Sequence, residues 1–243
     1  MIEQVANALG NAGAAYLMRL RDPASARAYL ERSLELYRLL GNPRGEATSL
    51  GLLGTMHGMD GRLDLSRSTL LEALRLWEEL GSRRGQAQVL SNLGVCSLEA
   101  GLPDEAERYH RRALSLCREA GIRRGEAVAL LYMGSLALQR GRRREAGELL
   151  DAALAAIRET GQRQFEMECL CHMGRLEIRD GDAGAAVRRY AEALSVAGSI
   201  GVAKPAAREI LALREELLAS GVDPSEAPVP VEWQGGGADR QAL

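Results

Sequence analysis

Residues 82–121 read SRRGQAQVLSNLGVCSLEAGLPDEAERYHRRALSLCREAG. Ser82 can cap a helix whose free backbone N–H groups begin at Arg83. Ala87, Leu90, Leu93 and Leu98 then recur on one helical face. Gly101 ends that helix, because glycine takes a left-handed conformation without steric cost. Pro103 sits near the start of the next helix, where its missing N–H does no harm. The second helix carries Ala106, Tyr109, Ala113, Leu114 and Cys117 and stops at Gly121. In the preceding stretch Asn42 and Pro43 make the same cap-plus-proline start.

The stretch repeats along the chain. Gly41, Gly81, Gly121, Gly161 and Gly201 are each 40 residues apart, and so are Gly54, Gly94, Gly134 and Gly174, and Gly61, Gly101, Gly141 and Gly181. Small residues recur at Ala26, Ser66, Ala106, Ala146 and Ala186, and at Ser33, Ala73, Ala113, Ala153 and Ala193. Each of the second set is followed by Leu: Leu34, Leu74, Leu114, Leu154 and Leu194. Small residues at fixed places let two helices approach closely, and the neighbouring Leu fills the space beside them. One hairpin cannot bury its own apolar face, so the hairpins must stack, which is the logic of a solenoid.

The expected domain organisation is a solenoid over 1–219 with hairpins at about 3–41, 42–81, 82–121, 122–161 and 162–201. The first hairpin holds one extra residue near Leu20–Pro23, since Gly13 precedes Gly54 by 41 residues. A capping helix is expected over 203–219, with Pro205 in its first turn and Ile210, Leu213, Leu217 and Leu218 apolar. Residues 220–243, rich in Pro and Gly, read as a disordered tail. Trp233 within it is either a lone aromatic or a short docking anchor.

Composition narrows the function. The chain has 243 residues, is 46% hydrophobic and 26% charged, and carries a formal net charge of -2. That balance gives no general attraction to nucleic acid or acidic membranes. Aromatic residues are only 4%, with a single Phe, so Leu and Ala supply most of the apolar surface and favour packed helices. Cys96, Cys117, Cys169 and Cys171 form no C-x-x-C pair and no disulfide framework, which fits a reducing, cytoplasmic setting. No apolar run approaches the roughly 18 residues of a membrane span, and MIEQVANALGNAG lacks the regions of a signal peptide.

The pattern Leu90, Leu93, Gly94, Gly101, Ala106, Ala113, Leu114 resembles the tetratricopeptide repeat (TPR). The opening x-R-G-E/Q-A at Arg44–Ala47, Arg84–Ala87 and Arg124–Ala127, with S-N-L-G at Ser91–Gly94 and G-N-A-G at Gly10–Gly13, is similar to the class of the Leu-Gly-Asn adaptors and of bacterial signalling and transcriptional regulators. The resemblance covers about residues 3–219 and implies an all-α, right-handed TPR solenoid of about five repeats plus a capping helix. It also implies a non-catalytic scaffold for a protein or peptide, often one segment of a larger regulator. The chain departs from the family at Leu50, Leu90, Leu130 and Leu170, where Trp is frequent, and at Gln164-Phe165-Glu166-Met167, which replaces the R-G-E-A opening. Asn11 and Asn92 are matched by Leu52, Tyr132 and His172, so no regular asparagine ladder exists.

In such a fold the first helix of each hairpin lines the concave face. Aligned on Gly94, the inward positions of the first hairpin are Asn7, Gly10, Ala14 and Leu17; those of the second are Thr48, Gly51, Thr55 and Met59. The third offers Gln88, Ser91, Val95, Leu98 and Glu99, and the fourth Val128, Leu131, Ser135, Leu138 and Gln139. The fifth offers Glu168, Cys171, Arg175, Ile178 and Arg179. The surface suits an amphipathic helix or extended peptide, with Arg175 and Arg179 meeting an acidic group at one end. Alternatively, several of these residues simply pack against the next helix.

Chemistry is weakly represented. Cys169 and His172 share a helical face but Cys171 does not join them, and His57, His110 and Cys96 lie in other hairpins, so no tetrahedral metal set is expected. No nucleophile–base pair and no phosphate loop is visible, so neither an enzyme nor a cofactor is expected. Arg140, Arg142, Arg143 and Arg144 make a basic turn, read as solvated or as a phosphate or acidic-partner contact. The alternative function is self-association through the apolar end of the first hairpin, giving dimers or end-to-end assemblies.

Overall fold

A computed structural model of the chain describes residues 1–17, 22–200 and 208–224. The extra residue expected before Pro23, Pro205, and the tail with Trp233 lie outside the described residues. The described chain is helical, in consecutive packed pairs. It divides into two compact units, Met1–Gly125 and Glu126–Leu243.

The first unit contains α1 (Ile2–Ala15), α2 (Pro23–Leu39), α3 (Pro43–Met59), α4 (Leu63–Glu79), α5 (Arg83–Glu99) and α6 (Pro103–Glu119). Most of α7 (Arg123–Gln139) belongs to the second unit, with α8 (Arg143–Glu159), α9 (Arg163–Asp180), α10 (Ala183–Ser199) and α11 (Arg208–Ala219). The starts follow from caps. Asn42 Oδ1 accepts from Gly45 N at 3.0 Å and Ser82 Oγ from Gly85 N at 3.3 Å, satisfying donors that a helix start leaves free. The ends follow from glycine. Gly101 adopts φ +72°, and behind it Leu102 N donates to Ser97 O at 2.8 Å, closing the helix in a Schellman turn.

Within the first unit α1 packs on α2, α3 on α4 and α5 on α6, and α2 and α4 also pack on α3 and α5, the first helices of the pairs that follow them. The recurring small residues are the crossing points. Ala26, Ala106, Ala146 and Ala186 are wholly buried and Ser66 nearly so. The Gly54 series receives a side chain from the facing helix. A Cβ on Gly54 would stand 2.6 Å from Leu70 Cγ, and one on Gly134 2.8 Å from Leu150 Cγ. Both are below any real contact, so only glycine admits the leucine.

In the second unit α11 packs on α9 and α10 and buries Ile210, Leu213 and Leu217 completely. Leu218, the fourth apolar residue of the expected capping helix, is on the outer side, 46% exposed. Ile210 and Leu213 stand 40 residues after Leu170 and Met173, so α11 holds the register of a first helix. Gly221, with φ +80°, closes its end as Gly61, Gly101, Gly141 and Gly181 close theirs. The third glycine series therefore extends one member beyond Gly181, where the sequence reading stopped.

Candidate functional site

The first unit carries two adjoining clefts. The larger, about 410 Å³, lies between α1 and α3 and is lined by Glu3, Asn7, Gly10, Asn11, Ala14, Tyr37, Asn42, Arg44, Gly45, Thr48, Ser49 and Leu52. The other, about 160 Å³, lies between α3 and α5, lined by Ala47, Thr48, Gly51, Leu52, Thr55, Trp77, Gly85, Gln88, Val89 and Asn92. Thr48 and Leu52 of α3 border both.

The helix starts place these side chains. Capping at Asn42 and Ser82 fixes the rotation of α3 and α5, which turns Thr48, Thr55, Gln88 and Asn92 to the same side. Thr55 donates its hydroxyl to Gly51 O at 2.9 Å and accepts from Asn92 Nδ2 at 3.0 Å, a polar bridge between successive first helices. Tyr37 donates to Asn7 Oδ1 at 2.5 Å and Asn42 Nδ2 to Glu3 Oε1 at 3.1 Å. Burial and the Glu3 carboxylate push the Tyr37 phenol up, so it stays a neutral donor. Polar groups are therefore mostly uncharged here, with Glu3 and Arg44 at the rim of one cleft.

Each cleft ends on an aromatic ring from a second helix. Tyr37 and Trp77 occupy one repeat position, and each ring lies over the glycine that opens the next hairpin, Gly45 and Gly85. These rings, with Leu52, Asn11, Asn42 and Asn92, were not among the expected inward positions. The signal was present: an aromatic residue eight positions before the glycine of R-G-E/Q.

Of the expected groove residues, Thr55 and Gln88 line the cleft beside Trp77. Ser91, Val95 and Leu98 are half-buried on α5, and Met59 is 49% exposed near the end of α3. The second unit requires a correction. Leu131 and Cys171 are fully buried, Leu138 is 2% exposed and Ser135 5%, so none offers an open surface. Leu138 packs with Ala137, Ala146, Leu149 and Leu176, where α7, α8 and α9 meet. Ile178 is half-buried, and Arg179 donates from Nη1 to the Leu138 carbonyl. Arg175 already has its acids: Nη1 lies 2.7 Å from Glu209 Oε2 and Nε 2.8 Å from Glu216 Oε1. The acidic group expected from a ligand is supplied by α11.

Burial shifts the thiols and the imidazole of α9 and the imidazoles of α3 and α6. Burial pushes the Cys169 thiol up to about 12 and Cys171 higher still, the reverse of what a nucleophile needs. Burial pushes His110 down to about 4, and burial together with the Arg175 charge does the same to His172. His57 is lowered by burial and by Arg62 and Arg27. The basic turn is salt-bridged within the chain, with Arg142 to Glu145 at 2.9 Å, Arg143 to Asp180 at 3.4 Å and Arg144 to Glu148 at 3.0 Å. Among the described residues no helix is long and apolar enough to cross a membrane.

Comparison with known proteins agrees with this architecture. The tetratricopeptide repeat family model matches residues 4–65 and 45–119. A comparison with curated protein sequences finds no match. Among solved structures, the chain is similar to a Signal Transduction ATPase with Numerous Domains from Pyrococcus horikoshii that has a tetratricopeptide repeat sensor. The TM-score is 0.67 at 16% identity, over 93% of this chain and 35% of that one, so this chain spans about a third of that protein. It is also similar to a Rap protein complexed with Competence and Sporulation Factor, with TM-score 0.62 and 16% identity over 90% of this chain and 66% of that chain. Pseudomonas aeruginosa pilF gives TM-score 0.60 and 18% identity, over 98% and 99%. These likenesses do not single out the Leu-Gly-Asn subgroup. With the family model on the first hairpins and the same helix pairs and turn glycines continuing beyond them, the chain is a tetratricopeptide repeat protein.

Proposed function

We propose that this chain is a non-catalytic, regulatory binding module whose ligand is an extended peptide segment laid across α1, α3 and α5. The observation that carries this reading is the pair of clefts meeting at Thr48 and Leu52. Successive first helices stand about 10 Å apart, so a chain rising about 3.3 Å per residue reaches from one cleft to the next in roughly three residues. Side-chain amides and hydroxyls on that face suit a peptide backbone, and the Tyr37 and Trp77 rings give its side chains apolar contact. The solved structures with a tetratricopeptide repeat sensor and with bound Competence and Sporulation Factor support a sensing role of this kind. The test is selection of a displayed random 12-residue peptide library against the full chain. Selected peptides should lose at least tenfold in affinity with Thr48→Arg or Gln88→Ala and keep it with Arg144→Ala. Affinity unchanged by Thr48→Arg would sink the reading.

A second reading, self-association, is favoured by α1. Ala8 and Leu9 align with Ser49 and Leu50. Ala8 is exposed and Leu9 half-buried, whereas Ser49 is 1% and Leu50 3% exposed. Ile2 and Val5 on the same helix are each 49% exposed. Sedimentation at falling concentration decides it: a dimer abolished by Val5→Glu supports this reading, and a monomer throughout rejects it.

A further inference from the structure

The first-helix face of α9 carries a different chemistry from that of α3. Glu168, His172 and Arg175 hold the repeat positions of Thr48, Leu52 and Thr55, three residues that line the cleft beside Trp77. Where the first unit has neutral polar groups and open space, the second has ionisable groups under a helix. Arg175 is the centre. Its side chain is only 14% exposed, and His172 Nδ1 stands 3.3 Å from its Nη1. Two carboxylates of α11, Glu209 and Glu216, close on it from positions seven residues apart, two helical turns.

The apolar half of the contact is as specific. Ile210, Leu213 and Leu217 are fully buried, and they follow Glu209 by one, four and eight residues, one stripe of a helix. Gly174 makes room for this stripe, since a Cβ there would stand 2.9 Å from Leu213 Cδ2. A terminal cover needs only the stripe. A carboxylate pair on a mostly buried guanidinium adds recognition, because removing either charge leaves the other desolvated.

We propose that α11 is a releasable internal ligand: it occupies, through Glu209 and Glu216 on Arg175, a docking surface of α9 and α10 for an acidic amphipathic helix of a partner. The partner helix has two carboxylates seven residues apart and apolar residues one, four and eight positions after the first, the pattern that α11 itself presents. The site lies wholly in the second unit and does not depend on the clefts of the first.

The full chain is tested in two ways. Hydrogen exchange of the unaltered protein should show α11 amides exchanging at least tenfold faster than those of α9, because α11 leaves while the rest stays folded. A labelled peptide of residues 208–219 should bind the Glu209→Gln/Glu216→Gln chain at least tenfold more tightly than the unaltered chain, whose site is filled. Adding Arg175→Gln should abolish that binding, and a peptide with both glutamates changed to Gln should not bind. Exchange of α11 and α9 at one common rate overturns the proposal and makes α11 a permanent cover. So does a peptide that binds no variant, or one indifferent to Arg175.

Discussion

Gly85 lies against the indole of Trp77: a Cβ at position 85 would stand 2.2 Å from Trp77 Cδ2. The same relation holds between Gly45 and Tyr37, and between Gly125 and the Cys117 sulfur. The glycine of the R-G-E/Q opening is thus a seat for the side chain eight residues before it. At the last such junction the sizes reverse, to Ile157 and Phe165.

Gly85→Ala would gain about 0.5–1 kcal/mol from helix propensity, but it drives a methyl into the ring, and overpacking costs about 1–3 kcal/mol. The net expectation is a loss of about 1–2 kcal/mol in urea denaturation. In a Trp77→Ile background the same change should cost nothing or stabilise. Equal losses in both backgrounds would show that the ring is not the reason for the glycine.

This relation marks where sequence reading reached its limit. The 40-residue glycine period determines the helix pairs, because a turn glycine and a crossing glycine act locally. The cleft walls Tyr37 and Trp77 come from second helices; their spacing of eight residues before the opening glycine is written in the sequence, but the reach of the ring onto the next first helix is a matter of packing. Thr55 and Gln88 line an open cleft where small residues leave the face free, whereas on α7 and α9 the expected inward positions are closed over. There Leu131, Leu138 and Cys171 are covered, and Arg175 is occupied by carboxylates 34 and 41 residues away. A long-range ion pair leaves no periodic trace.

Gly51 behaves oppositely to Gly85. It lies within a helix, and a Cβ would meet only Val89 Cγ2 at 3.8 Å, an ordinary contact. Gly51→Ala should therefore stabilise the chain by about 0.5–1 kcal/mol. It also places a methyl in the cleft beside Trp77, so selected peptides should bind several-fold more weakly. Denaturation and peptide titration on one preparation check both signs; a variant that is more stable and binds unchanged would remove Gly51 from the ligand's path.

His110 sits at the repeat position of Leu70 and Leu150, and its ring fills the space at Gly94, where a Cβ would stand 2.4 Å from Cε1. Burial lowers it from 6.5 to about 4. Between those values the unfolded chain takes up a proton that the folded chain refuses, so stability falls as pH drops through 6.5. His110→Leu removes that loss and restores the leucine-on-glycine packing of the neighbouring hairpins. Its advantage should grow by about 2 kcal/mol from pH 8 to pH 5, read from denaturation midpoints at the two values. A constant difference would mean the imidazole titrates alike in both states.

Glu168 has the opposite sign. Burial, aided by Glu209, raises its carboxyl from 4.5 to about 7, with Arg175 opposing. The folded chain therefore holds a proton that the unfolded chain releases between those values. The stabilisation present below 4.5 is lost as pH rises through 7, where the folded protein must carry the charge of a half-buried carboxylate. Glu168→Gln keeps the shape and removes the charge, so it should stabilise the second unit at pH 8 by about 2 kcal/mol more than at pH 5. His172, lowered to about 4 by burial and by Arg175, weakens the same unit as pH falls below 6.5, so the two groups place its stability maximum between them. Following α9 amide protection by hydrogen exchange, corrected for intrinsic rate at each pH, isolates this unit from the rest. If Glu168→Gln shifts protection equally at pH 5 and pH 8, the carboxyl is solvated, and only His172 and Arg175 set the face of α9 apart from that of α3.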